Sequence, residues 1–190
     1  MAAVFMVLSI TGCTTRLVQP YNEKLLNDTE AFYKKAATMI EEGRAVSPKT
    51  DEQRDAISSP ARHPANVSAF GPKYDALVVD SETLILGAMT GDKEISSAGK
   101  AIQGKITELI EETLPTQCPE LRTELGKLGL TAANFADLKC LILKWRAEHG
   151  DETLTRGTGI LKKANWEGRK VVLFNTILAI QNAESFKKEQ

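Results

Sequence analysis

Histidine is scarce in this chain. His63 and His149 are the two among 190 residues, and they lie in different segments. There is no His-x-x-x-His pair and no Cys-x-x-Cys pair, so the sequence offers no recognisable ligand set for a transition metal and implies no cofactor. The nucleophile elbow Gly-x-Ser-x-Gly is also missing. Ser97 and Lys100 stand three apart, a spacing that recurs by chance on helix surfaces, and no second catalytic element accompanies them. The carboxylate pairs Asp75 with Asp80, and Glu108 with Glu111 and Glu112, fit a wetted helix face equally well. Charge of one sign is lacking too: the formal net charge is −1, which gives no electrostatic reason to bind nucleic acid. No stretch alternates polar and apolar residues long enough to make a half-buried strand. After the first ten residues no long apolar run occurs that would cross a bilayer.

What the sequence does hold begins at its start. Ala2 to Ile10 is an apolar run without charge, short of the ~20 residues a spanning helix needs but suited to a signal-peptide core. It leads into Leu8-Ser9-Ile10-Thr11-Gly12-Cys13. This stretch resembles the lipobox of bacterial lipoproteins. The resemblance implies a signal peptide over residues 1–12, cleavage before Cys13, and a diacylglyceryl group on the Cys13 thiol with further acylation, such as palmitate, of the new amine. The sequence departs from such signals in one respect: no Lys or Arg precedes Arg16. The competing reading is a buried N-terminal helix that ends in Gly-Cys. In lipoproteins of this kind the residue after the cysteine influences sorting. Thr14 here, in place of Asp, implies the outer membrane, facing the periplasm.

Residues 13–21 read as a tether, and residues 22–190 as a single helical domain with enough chain for a real core. The expected class is all-α: an antiparallel bundle of four to five helices, with a long loop between the first two. Asn22 is an N-cap candidate for the first helix. Leu25, Thr29, Phe32, Ala36 and Met39 then mark its buried face, and Gly43 its end. Residues 44–71 are broken by Pro48, Pro60 and Pro64 and read as a loop or mobile arm, with one helical turn near residues 51–57. Gly71-Pro72 is expected to open the second helix, whose stripe is Tyr74, Leu77, Val78, Ser81, Leu84, Ile85 and Ala88, widened by Val79 and Leu86. A third helix is expected after Asp92 and before Pro115, with Ile95, Ile102, Ile106 and Ile110 on its inner face. A short helix follows Cys118-Pro119, another runs from its cap at Thr131 to Gly150, and a last one covers about 160–187.

With Cys13 taken by lipid, Cys118 and Cys140 remain. An even pair in an oxidising compartment implies a disulfide; the alternative is two buried thiols. His149, beside Gly150, is expected to cap its helix as a cation, and His63 to be solvated. Gly157-Thr158-Gly159 before Lys162-Lys163 lacks the full spacing of a phosphate loop and reads as a turn into a helix. Phe32, Tyr33, Tyr74, Phe135, Trp145 and Phe174 are expected in the core, with Trp166 covering the glycine joint. The order of lipobox, Thr29-Glu30-Ala31-Phe32-Tyr33, a helix led by Tyr74, and Ala183-Glu184 near the end resembles small helical bacterial lipoproteins that carry no established activity. These features imply a non-enzymatic structural or protein-interaction lipoprotein with a membrane and an envelope protein as partners. A small-ligand or sensor bundle is the alternative, and a cell-wall enzyme a distant third.

Overall fold

The computed structural model describes residues 22–90, 118–126 and 130–185. They form an all-α body: α1 (Glu23–Val46), α2 (Asp51–Asp55), a 3-10 turn (Pro60–Arg62), α3 (Val67–Thr90), α4 (Cys118–Gly126), α5 (Leu130–Gly150), α6 (Glu152–Thr155) and α7 (Lys163–Ser185). Cys13, with the signal and tether, and the expected third helix lie outside the described residues.

Local chemistry sets the boundaries. The Asn22 side chain accepts from the Leu25 N–H at 3.1 Å and starts α1, as its position before the apolar stripe predicts. The helix runs one turn past Gly43, to Val46. α3 starts earlier than Gly71-Pro72 suggests. Asn66 Oδ1 accepts from the backbone and hydroxyl of Ser68 at 3.0 and 2.8 Å, so Asn66 opens the helix and Pro72 sits inside it. Thr131 is the second residue of α5 rather than the residue before it. α7 begins at Lys163, where the Pro48 carbonyl accepts from the Lys163 N–H at 2.8 Å.

Among the described residues, four long helices enclose one core. α1 packs on α3 and α7, α3 packs on α5, and α5 packs on α4 and α7. The pairings fix the directions. Along α1, Leu25 meets Gly87, Lys35 binds Asp80, and Glu42 binds Lys73, so α1 and α3 run antiparallel. Along α3, Tyr74, Asp75 and Glu82 meet His149, Arg146 and Lys139, so α5 opposes α3 in turn. Ser47 meets Trp166 and Glu41 meets Lys170, while Tyr33 and Lys34 share a groove with Ile177 and Leu178. Thus α7 opposes α1.

The expected faces are the buried ones. Leu25, Thr29, Phe32, Ala36, Met39 and Ile40 are buried on α1, and Tyr74, Leu77, Ser81, Leu84, Ile85 and Ala88 on α3. Each large apolar side chain removed from water contributes roughly 1.5–3 kcal/mol. The stripes are narrower than expected, however. Val79 and Leu86 on α3, and Val171 and Phe174 on α7, point to solvent; Phe174 is 53% exposed and Val171 61%. With neighbours on two sides, each helix buries a limited arc, and residues one step round remain wet.

Candidate functional site

The densest polar chemistry lies at the end of the bundle where α1 finishes and α7 begins. Tyr74 from α3, His149 from α5 and Arg169 from α7 form a buried chain of hydrogen bonds. The Ala65 carbonyl can only accept, so His149 Nε2, 3.1 Å away, carries the proton. Nδ1 is then an acceptor and takes the Tyr74 hydroxyl proton at 3.0 Å. The Tyr74 oxygen accepts from Arg169 Nη1 at 2.6 Å, and Arg169 Nη2 donates to the Trp145 carbonyl at 2.6 Å. Burial, with Arg169 nearby, lowers the His149 pKa from the ordinary 6.5 to about 4; the ring is neutral. Burial likewise pushes the Tyr74 hydroxyl up to about 12. The expectation of a cationic, helix-capping His149 is therefore overturned. A proton on Nδ1 would face a tyrosine oxygen already receiving one from Arg169, with a second cation beside it.

Trp166 closes this end. Its indole lies against Phe70 and His149 with ring centroids 4.9 and 5.3 Å apart, and its Nε1 donates to Ser47 Oγ at 2.8 Å. The ring rests directly on the backbone of α1: a Cβ on Gly43 would stand 2.4 Å from it. Gly43 serves this close approach rather than ending the helix. Within the cluster the polar atoms of Tyr74 and His149 satisfy one another and join α3 to α5, while Arg169 ties both to α7 and turns its other side to a cleft between α5 and α7.

The connection from 47 to 66 is stitched to the connection from 151 to 162. Arg54 is 1% exposed; it donates to the Leu154 carbonyl at 3.0 Å and to Asp51 at 2.6 Å. Arg156, in the left-handed region at φ 51°, reaches Asp55 at 2.9 Å. Asn66 Nδ2 donates to the Thr158 carbonyl at 2.9 Å, and Val67 N–H to the Gly159 carbonyl at 2.8 Å. Gly157 and Gly159 take φ of 73° and 64°, which is why this turn carries glycine. The Lys162 hydrogen bond, with Arg156 and Arg54 nearby, holds the Asp51 carboxyl below its usual range. The helical turn expected near residues 51–57 is α2.

No family model, curated protein or solved structure matches the chain.

Of the residues singled out by sequence, Cys118 and Cys140 come together, with Sγ atoms 2.13 Å apart and Cα atoms 5.7 Å apart. The contact ties the first residue of α4 to the middle of α5. Ser97, Lys100, Glu108, Glu111 and Glu112 lie outside the described residues. Asp75 and Asp80 each hold a separate cation, Arg146 and Lys35. His63 is half-buried and its Nδ1 accepts from the Ala65 N–H at 3.1 Å. Among the described residues, no group of three His, Cys, Asp or Glu could hold a metal, and no helix is long and apolar enough to cross a membrane.

Sequence reading missed the buried cations. Arg169 stands three after Trp166 and four before Leu173, and Lys139 three after Ala136. Both therefore occupy stripe positions, a signal that spacing carries but residue type hides. Lys139 pairs with Glu82 at 3.1 Å, 1% exposed, without an aligned hydrogen bond, and burial lowers its pKa.

Proposed function

We propose that this protein is a lipid-anchored bacterial envelope protein that works by contact rather than catalysis, held by Cys13 at the outer membrane and facing the periplasm. The observation that carries the anchor is the Ile10-Thr11-Gly12-Cys13 sequence after a short uncharged run. A cysteine pair at bonding distance suits an oxidising compartment. The mutually satisfied Tyr74–His149 pair, with the His149 ring bonded to the Ala65 carbonyl, supports a structural role for these two buried polar groups. Two or more fatty chains make such an anchor durable, at ~0.8 kcal/mol per buried methylene.

The anchor orients the body. The tether enters α1 at Asn22, the end opposite the stitched connections. α1 has 24 residues and so spans about 36 Å. The segment around α2 and the 3-10 turn is then the bilayer-distal end, and exposed residues such as Ser58 and Arg62 are the ones offered to an envelope protein.

Replacing Cys13 with Ser tests the anchor. Loss of palmitate labelling and release from the membrane fraction are expected; continued labelling and membrane association would overturn it. A photo-crosslinker at Arg62 in cells tests the contact role, and it fails if no protein neighbour is captured.

A further inference from the structure

On the outer side of Arg169, between α5 and α7, lies an open cleft of about 320 Å³. Leu141, Trp145 and Val172 line it together with the buried Arg169, the exposed Lys144 and the Glu148 carboxylate, and Gly168 forms part of the α7 side. We propose that this cleft binds a small organic anion with an apolar body, its charge on Arg169 and Lys144 and its body against Trp145, Leu141 and Val172. The inference is independent of the anchor.

Three observations converge on it. First, Arg169 is 4% exposed and under-neutralised. Its nearest anion is Glu148 at 3.4 Å, and that carboxylate is shared with Lys144 at 3.9 Å. Two cations thus line the cleft against one carboxylate, and a buried charge gains most from a further counter-charge. Second, the contacts of Arg169 with Tyr74, the Trp145 carbonyl and Glu148 account for three of the five N–H groups of a guanidinium. The group is also fixed in place by Trp145 and Trp166, whose ring centroids are 5.6 and 5.0 Å from its Cζ. An ordered cation lining a half-apolar cleft is the usual composition of a small-ligand site. Third, Gly168 lies inside α7, where glycine costs about 1 kcal/mol relative to alanine. Unlike Gly43, it is not required by packing: an added Cβ would meet nothing within 4 Å. Gly168 is itself a lining residue, so a large side chain there would stand at the wall of the cleft.

The chain has two tryptophans, Trp145 in the cleft wall and Trp166 behind Arg169, so intrinsic fluorescence reports on the site directly. The experiment titrates the full chain carrying Cys13→Ser with phenylacetate, 2-phenylethanol and acetate. Expected is a saturable change with phenylacetate and responses at least about 10-fold weaker with the uncharged alcohol and with acetate, the factor that ~1.4 kcal/mol represents. Lys144→Glu reverses the charge there and should weaken phenylacetate binding about 10-fold. Gly168→Leu puts a large side chain at the cleft wall while favouring the helix, and should abolish the response with an unchanged circular dichroism spectrum. No saturable response to phenylacetate, equal binding of the alcohol, or undiminished binding by Gly168→Leu would each overturn the proposal.

Discussion

At Gly43 and Gly168 the same substitution has opposite signs. Glycine inside a helix normally leaves about 1 kcal/mol to be gained by alanine. At Gly168 nothing opposes that gain, so Gly168→Ala should raise stability by about that amount in urea unfolding. At Gly43 the new methyl would enter the Trp166 ring, 2.4 Å from its nearest atom. Gly43→Ala should lose roughly 2 kcal/mol or more by overpacking, read in the same assay. Lys139 and Glu82 make a second contrast. Removing the carboxylate by Glu82→Ala strands a buried ammonium, and should cost on the order of 2 kcal/mol, below the ~3–5 of a fully buried pair because Glu82 is partly wetted. Lys139→Met removes the charge and keeps the stem volume, and should come out near neutral. If Lys139→Met proves the more damaging of the two, the pair is a net stabiliser and this reading of it fails. Neither contrast is visible in the residue types alone, because a lysine or a glycine at a stripe position does not say what stands opposite.

Among the elements, α4 depends most on a covalent tie. It is nine residues long and packs on α5, to which Cys118 and Cys140 join it. In the chain-entropy model a closure over 22 residues contributes about 3 kcal/mol. Reduction should therefore lower the melting temperature by roughly 10 °C, at the 2–4 °C per kcal/mol of a chain this size, with most helical signal kept below the transition. An unchanged melting curve on reduction would show that the tie carries no stability. The long helices were legible because their apolar residues recur at three and four with few interruptions, as in Leu25 to Met39 and Tyr74 to Ala88. The start of α3 was not. Pro72 carries a strong start signal, but Asn66 wins because its side chain serves Ser68 on one side and the Thr158 carbonyl, distant in sequence, on the other.

The whole molecule should respond to pH at both extremes through one cluster. His149 binds its proton less readily folded than unfolded, with a pKa lowered from 6.5 to about 4. The unfolded chain therefore takes up more protons in that window, and stability is complete above pH 6.5 and falls as pH drops toward 4. The loss from this residue is on the order of 3 kcal/mol. Tyr74 acts in the other direction. Its hydroxyl is raised from 10 to about 12, so stability holds below pH 10 and falls as pH rises toward 12. Urea midpoints measured from pH 8 down to 4 and up to 12 should trace both limbs. In the folded protein, nuclear magnetic resonance should show the His149 ring signals unmoved down to about pH 5. Titration of His149 near 6.5 would contradict its burial beside Arg169.

The sequence by itself determined the all-α class, the inner faces of α1 and α3 and the Asn22 cap, and it left Cys118 and Cys140 open between a bridge and two buried thiols. Each determined feature follows from local periodicity or a cap within three residues, whereas the cysteine pairing was decided by the packing of α4 on α5. The tertiary structure alone decided that Arg54, Lys139, His149 and Arg169 are buried, that Phe174 and Val171 are wet, and that the 47–66 connection is stitched down. The physical reason is common to all of them. A polar group can be buried when its partners arrive from other helices, and an apolar one stays exposed where no helix covers it. Both depend on which elements become neighbours, a relation between residues distant in sequence that no local pattern records.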